Sequence, residues 1–191
     1  MFGPVVQSFI ALFVIMDVLG NIPMFLTLFE KLSHRHRIES ANRSIIVAGL
    51  ILLLFLLFGI GVLSFFNVSM DSFRIAGGLI LVLTGLKYVL AIKMLEQKIQ
   101  KYESAVVPIA IPLLVGPGVI TTTMILVNNY GISAPFIASA LNLLIAWVVL
   151  RHTEVLYRFI GRQGSDVLTR IMGLLITTIG IEFIRSGWTI P

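Results

Sequence analysis

The stretch that decides the fold is residues 44–66, SIIVAGLILLLFLLFGIGVLSFF, which contains no charged side chain. An α-helix that crosses the roughly 30 Å hydrocarbon core of a bilayer needs about 20 consecutive apolar residues. A soluble protein would have to bury such a helix on all sides, and a chain of 191 residues has little interior in which to do so. The stretch therefore predicts a helix that spans a membrane.

The composition of the whole chain agrees with this prediction. Soluble domains carry about 25% charged residues, whereas this chain carries 12% and is 58% hydrophobic. The first apolar run has no basic segment before it and is too long for the core of a signal peptide, so we expect it to stay in the mature protein. Cysteine is absent, which excludes disulfides, thiolate metal sites and a cysteine nucleophile.

Six membrane spans are expected in all, of which this stretch is the second, so the sequence predicts an all-α membrane protein. They cover residues 4–29, 44–66, 72–91 and 168–184, together with two crossings inside the charge-free run 104–150 that are separated by a turn at 128–131. The domain organisation expected is one membrane domain, residues 1–191. It comprises a first repeat of about 1–92, a cytoplasmic linker of about 93–103 and a second repeat of about 104–191.

The basic residues predict the orientation of these spans. Twelve of the 14 fall on one side: Lys31, Arg35, Arg37, Arg43, Lys87, Lys93, Lys98, Lys101, Arg151, Arg158, Arg162 and Arg170. Only Arg74 and Arg185 fall on the other side. The positive-inside rule places the twelve in the cytoplasm and both chain termini outside an inner or plasma membrane. The net charge of +5 is thus explained by topology, and we expect no nucleic-acid partner.

Two pairs of segments indicate an internal repeat. The segment RIAGG at 74–78 resembles RIMGL at 170–174, 96 positions later, and DVLGNIP at 17–23 resembles IPLLVGP at 111–117, with prolines 94 positions apart. Each half would hold three spans, so the second half must insert upside down, as in the inverted repeats of secondary transporters. The alternative is chance similarity between apolar helices.

The first and fourth spans are each interrupted by helix breakers, and here we predict a substrate site. Proline removes a backbone donor and glycine weakens a helix, and each interruption lies roughly 20 Å from its own membrane face at about 1.5 Å per residue. The second half-helices would begin near the midplane, where free N–H groups attract anions. The predicted binding residues are Asp17, Gly20, Asn21, Pro23, Gly116, Pro117, Gly118, Thr121 and Thr122. The alternative is a pair of proline kinks that only shape packing.

The sequence allows more than one role for three charged side chains. A carboxylate inside a membrane is costly and suggests function, so Asp17 would bind a substrate ammonium, a coupling cation or a proton, or else cap the broken backbone. Arg74 and Arg170 open symmetry-related helices at opposite faces. They would serve as gating residues, or would only extend to lipid headgroups. His34 and His36 form a weak metal pattern in a solvated loop, and we predict no metal site.

The interrupted segments resemble the signatures of a known family. The segment DVLGNIPMFL at 17–26 resembles the Asp-Pro-Leu-Gly-Asn-x-Pro motif of MarC membrane proteins, with Val18 in place of the usual proline, and AIPLLVGPGVITT at 110–122 resembles their second signature. The resemblance covers nearly the whole chain. It implies six spans, a cell-membrane location and transport of small neutral amino acids such as glycine and alanine.

The function expected is therefore secondary transport of small neutral amino acids by alternating access, with substrate bound between the broken helices. The alternative is an exporter of other small metabolites or drugs on the same scaffold. We expect no cofactor beyond a coupling Na⁺ or H⁺, and no enzymatic activity, because no nucleophile–histidine pair or paired carboxylates stand at reacting depth. The partners expected are the substrate and the lipid bilayer, with a homo-oligomer left open.

Overall fold

The computed structural model describes residues 3–29, 33–91 and 114–188. Within these ranges the regular elements are all α-helices. They are α1 (Pro4–Met16), α2 (Ile22–Phe29), α3 (His34–Phe65), α4 (Met70–Val89), α5 (Pro117–Tyr130), α6 (Ser133–Arg151) and α7 (Thr153–Trp188). The predicted linker 93–103 and the first half of the predicted fourth span lie outside the described residues.

Four helices are long and apolar enough to cross a membrane, namely α3, α4, α6 and the Gln163–Trp188 part of α7. They correspond to the predicted second, third and sixth spans and to the second of the two crossings predicted in 104–150, with the second and third spans ending at Phe65 and Val89 rather than at 66 and 91. The prediction of an all-α protein with membrane-spanning helices is therefore confirmed in this coarse form. The break between the two crossings falls at 131–132, later than the turn predicted at 128–131, since α5 continues to Tyr130 and Gly131 takes a positive φ of 73°.

Helix α3 begins ten residues before the predicted second span. The side chain of Ser33 accepts a hydrogen bond from the backbone N–H of His36, which caps the helix start. Arg43 donates to Glu39 one turn away, at 2.8 Å, and supports the polar part of the helix. With 32 residues, α3 is about 48 Å long, so it extends well beyond a hydrocarbon core of about 30 Å.

The exposed surface of α3 is strongly apolar. Its most apolar window has a mean hydropathy of 3.1, yet only 22% of that window is buried by the rest of the chain. Leu50 and Phe58 are each 62% exposed. Burial of such side chains is worth roughly 1.5–3 kcal/mol each, so water is a poor solvent for this face and lipid hydrocarbon is a good one.

The most extensive helix contact among the described residues joins α4 and α7, which run antiparallel with glycine against glycine. A Cβ atom added to Gly78 would lie 2.5 Å from the carbonyl oxygen of Gly180, and one added to Gly85 would lie 2.5 Å from that of Gly173. The reciprocal distances, from Gly180 to Gly78 and from Gly173 to Gly85, are 2.7 and 2.8 Å. Small residues let backbones approach closely where apolar burial gives no advantage over lipid. We call these four residues the glycine ladder.

Helix α7 is not continuous. Gly161 has φ 69° and ψ 173° within it, which divides the segment before Gly161 from the membrane-spanning part after it. Only glycine adopts this conformation without strain. The predicted sixth span, 168–184, lies entirely in the later part.

Candidate functional site

The first predicted span is interrupted at the residues that the sequence indicated. Helix α1 ends at Met16, and Asp17 takes the left-handed conformation with φ 43° and ψ 44° while its N–H bonds to the carbonyl of Phe13. Helix α2 begins at Ile22, and Pro23 lies in its first turn, where a missing N–H has no helical partner to lose. The interruption, residues 17–21, is held by its own backbone, since the N–H of Asn21 bonds to the carbonyl of Asp17 at 3.1 Å.

The carboxylate of Asp17 is buried within this interruption, with 2% of the residue exposed. Its Oδ1 atom accepts the N–H of Gly20 at 3.2 Å. Its Oδ2 atom is buried, and none of the described residues donates to it. A Cβ at position 20 would lie 2.5 Å from both carboxylate oxygens, so a larger residue there would displace the Asp17 side chain. A buried carboxylate oxygen is costly to leave unpaired and can accept a further donor or a cation.

Side chains from two distant helices hold the interruption. Asn21 donates its Nδ2 to the carbonyl of Asp17 at 3.0 Å, and its Oδ1 accepts the hydroxyl of Tyr88 at 3.4 Å. The hydroxyl of Thr169 donates to the carbonyl of Gly20 at 2.9 Å. Helices α4 and α7 therefore both reach the interruption through polar contacts.

The start of α5 lies near the last turn of α1. Leu114 and Val115 precede it in a non-α-helical, buried segment. Gly116 has an extended backbone and supplies no side-chain cap. A Cβ added to Gly118 would lie 3.5 Å from Cγ2 of Ile15 and 2.5 Å from Cδ2 of Leu81. The structure thus places the start of α5 beside the last turn of α1. It also gives Gly118 a packing role against α4.

The threonines of α5 are buried and hydrogen-bonded within their own helix. Thr121 donates to the carbonyl of Pro117 at 2.9 Å, and Thr122 donates to that of Gly118 at 2.8 Å. Thr123 does the same to Val119 at 2.8 Å. Their protons are thereby engaged, and the hydroxyl oxygens are left as acceptors.

Comparison with known proteins identifies the family. The family model described as MarC family integral membrane protein matches residues 2–189. The chain belongs to the MarC family. It is accordingly an integral membrane protein, and the resemblance drawn from the segments 17–26 and 110–122 is confirmed.

Other MarC-type relatives match over nearly their full length. A UPF0056 membrane protein of Methanocaldococcus jannaschii is 37% identical over 95% of this chain and 94% of its own. The UPF0056 membrane protein YhcE of Escherichia coli is 37% identical over 95% of this chain and 90% of its own. An Archaeoglobus fulgidus protein of the same name is 31% identical over 94% and 90%. No solved structure matches the chain.

The two arginines predicted as possible gates differ in their contacts and exposure in this MarC protein. Arg74 donates to Oδ1 of Asn129 at 2.9 Å and lies 3.8 Å from Asp71, with 18% of its side chain exposed. Beside it, the hydroxyl of Tyr130 bonds to Gln7 of α1. We call these five residues the Arg74 cluster, which joins α1, α4 and α5 at one face.

Arg170, the predicted repeat counterpart of Arg74, is exposed, and none of the described residues pairs with it. Arg74 is therefore engaged between helices at one face, and Arg170 is not.

Sequence reasoning missed two site residues of this MarC protein, Tyr88 and Thr169. Each had a signal: Thr169 immediately precedes the repeated segment at 170–174, and Tyr88 is a polar aromatic side chain within an apolar span. Ser165, one turn before Thr169, is 1% exposed, and its hydroxyl has no partner among the described residues. It is a third buried polar group that the sequence pattern did not indicate.

Proposed function

We propose that this MarC protein is a secondary transporter of small neutral amino acids that works by alternating access. The observation that carries the proposal is the buried Oδ2 atom of Asp17, which lacks a donor among the described residues and lies in a helix interruption near the start of α5. Intramembrane carboxylates are costly and mark substrate or ion pathways. Their retention inside an apolar bundle is explained by a ligand.

A zwitterion matches the two chemical features of the site. Its ammonium would bind Asp17 through the vacant oxygen. Its carboxylate would bind the first-turn N–H groups of α5, after Pro117, because a helix start carries a partial positive charge. The surrounding residues Ile15, Leu81 and Val115 are buried and apolar, which favours a substrate with a small, uncharged side chain.

A six-span architecture of two inverted three-helix repeats, with the first and fourth spans broken near the midplane, is part of the proposal. The glycine ladder supports it, because its two contacts, Gly78 with Gly180 and Gly85 with Gly173, would exchange under a two-fold axis between α4 and α7. The offset within the ladder is 95 positions, one less than the 96 that separates the segments at 74–78 and 170–174. Inverted repeats place a binding site between them near the midplane.

Alternating access is supported by a difference between the two proposed repeats in the contacts of their equivalent arginines. In an inverted repeat, a contact closed at one face has a counterpart at the other face that opens. Arg74 is bound to Asn129, while Arg170 is exposed. We therefore propose Arg74 and Arg170 as gating residues, with the face that carries the Arg74 cluster closed in this conformation. Both chain termini would lie outside the cell membrane, on that face.

Coupling to Na⁺ or H⁺ is expected to involve Asp17, because either cation would bind to its Oδ2 atom. The proposal includes no enzymatic step and no resident cofactor. The partners that it requires are the substrate and the bilayer.

The test is uptake of labelled glycine and alanine into proteoliposomes under imposed sodium or proton gradients. The native chain is compared with Asp17→Asn and with the matched control Asp166→Asn, whose acidic residue is exposed on α7. Saturable uptake that is lost only in Asp17→Asn supports the proposal. Folded native protein that takes up neither amino acid under any gradient would overturn it and favour export of other metabolites or drugs.

A further inference from the structure

A cavity of about 340 Å³ lies at the end of the molecule that carries most of the described basic residues. It opens between the end of α2, the start of α3 and the junction of α6 with α7. The lining residue of α2 nearest to the interruption is Leu26, four residues beyond Ile22, or about 6 Å along the helix at 1.5 Å per residue. None of residues 17–21 lines the cavity, so it is separate from the site that contains Asp17.

Apart from Thr153, the polar side chains among the described residues that line this cavity are mostly basic. They are His34, Arg37, Arg151, His152 and Glu154. Glu154 forms an ion pair with Arg37, so its charge is offset within the cavity wall. Arg151 and the two imidazoles remain as an excess of positive or protonatable groups. An anion is the ligand that this balance favours.

The guanidinium of Arg151 is oriented by its neighbours. Its Cζ atom lies 5.3 Å from the ring centroid of Trp147, in a cation–π arrangement. The indole N–H of Trp147 in turn donates to Oδ1 of Asn42 in α3 at 2.8 Å. A guanidinium above an aromatic ring still has N–H groups available to a phosphate.

The remaining wall is apolar and includes Leu26, Phe29 and Ile38. At about 30 Å³ per water, the volume holds on the order of ten water molecules, which is enough for a phosphate with part of a glycerol unit. A basic pocket with an apolar wall at the end of membrane helices matches an amphiphilic anion. A soluble phosphate would make no use of the apolar wall.

We propose that this cavity binds the phosphate group of an anionic phospholipid, with Arg151 and His152 in contact with the phosphate and the wall from α2 and α3 in contact with the lipid chains. Such a lipid joins α3 of the first half to the α6–α7 junction of the second. The proposal does not depend on the transported substrate.

The test uses the purified full-length chain in detergent, titrated with short-chain phosphatidylglycerol, short-chain phosphatidylcholine and inorganic phosphate. Binding is followed by native mass spectrometry and by tryptophan fluorescence, since Trp147 lies beside Arg151. We expect phosphatidylglycerol to bind about fivefold more tightly than phosphatidylcholine, and Arg151→Gln to remove that difference, from the usual contribution of one basic residue near an anionic headgroup.

Two further variants keep the test decisive. Glu154→Gln removes the acidic group of the cavity and is expected to tighten phosphatidylglycerol binding, a gain that misfolding does not produce. Arg158→Gln removes an exposed arginine of α7 that does not line the cavity, and is expected to leave binding unchanged.

Three outcomes would overturn the proposal. Equal weakening by Arg151→Gln and Arg158→Gln would mean diffuse attraction to the basic face. Equal binding of the two lipids would mean an apolar groove without a phosphate site. Displacement of phosphatidylglycerol by inorganic phosphate at equal concentration would assign the cavity to a soluble phosphate compound.

Discussion

The glycine ladder lies in the contact between α4 and α7, and both of these helices also contact the interruption between α1 and α2. The two regions differ in whether their buried polar groups have hydrogen-bond partners. In the ladder, backbone packs on backbone with no room for a methyl group. In the interruption, a buried carboxylate oxygen has no donor among the described residues. The first region fixes α4 and α7 against each other, and the second keeps a buried polar group that is costly to leave unpaired. Close packing therefore belongs to the contact between α4 and α7, and the buried charge to the interruption that both helices touch.

The largest effect on stability is expected in the glycine ladder. In Gly85→Ala, the new methyl group would lie 2.5 Å from the carbonyl oxygen of Gly173 and 2.7 Å from the N–H nitrogen of Thr177. Overpacking of this kind lowers the free energy of unfolding by about 2 kcal/mol. Denaturant unfolding in detergent measures the change. Gly61→Ala is the control, since nothing lies within 4 Å of its added Cβ; equal losses in both variants would contradict the role of the ladder.

A substitution at the interruption is expected to raise the free energy of unfolding rather than lower it. Asp17→Asn keeps an oxygen for the N–H of Gly20 and replaces a buried carboxylate with a neutral amide. The desolvation cost falls, so the free energy of unfolding should rise by about 1.5 kcal/mol while uptake is lost. Unfolding and uptake are measured on the same preparation. An Asp17→Asn variant that retains full uptake would reduce Asp17 to a cap of the broken helix.

A smaller effect is expected at the Arg74 cluster. Arg74→Gln loses the hydrogen bond to Asn129 and the contact with Asp71, which should lower the free energy of unfolding by about 1 kcal/mol. Arg170→Gln, its repeat counterpart, should leave unfolding unchanged because Arg170 is exposed. Paired unfolding curves check this. If Arg170→Gln proves the more destabilising variant, the face carrying Arg74 is not the closed one.

The smallest effect is expected where α7 reaches the interruption. Thr169→Val loses the hydrogen bond to Gly20 but keeps the side-chain shape, and should lower the free energy of unfolding by about 0.5 kcal/mol. It should also raise the KM for uptake. Thr178→Val is the control, because the exposed Thr178 bonds only to the carbonyl of Leu174 in its own helix. Identical KM values in the two variants would remove Thr169 from the site.

The parts of this fold that depend on local chemistry were predictable from the sequence. The interruption at 17–21 follows from Gly20 and Pro23, and the turn after Tyr130 follows from Gly131. The early start of α3 was missed, because its cap at Ser33 lies within a polar segment that carries no apolar periodicity. The ladder had a signal too, since glycines recur every seven residues at 78 and 85 and at 173 and 180, but only the pairing of two distant helices gives that spacing a meaning.

The residues of the candidate site were predictable only where they act on neighbouring backbone. Asp17 and Asn21 act on neighbouring backbone, so their position beside a helix breaker indicates them. Tyr88 and Arg74 act on partners that are 67 and 55 positions away. No local pattern specifies such contacts. They depend on how the helices pack, which the sequence alone does not state.

The shortness of α1 and α2 has a consequence for how the protein enters a membrane. Helix α1 has 13 residues and α2 has 8, so α1 reaches only about 20 Å and neither helix alone crosses a hydrocarbon core of about 30 Å. Asp17 between them further weakens the tendency of this segment to leave the translocon for lipid. Helix α3, with the highest mean hydropathy of the four candidate spans, has no such weakness. During synthesis, the segment that holds the candidate site would therefore depend on a later, more hydrophobic helix to secure it in the bilayer.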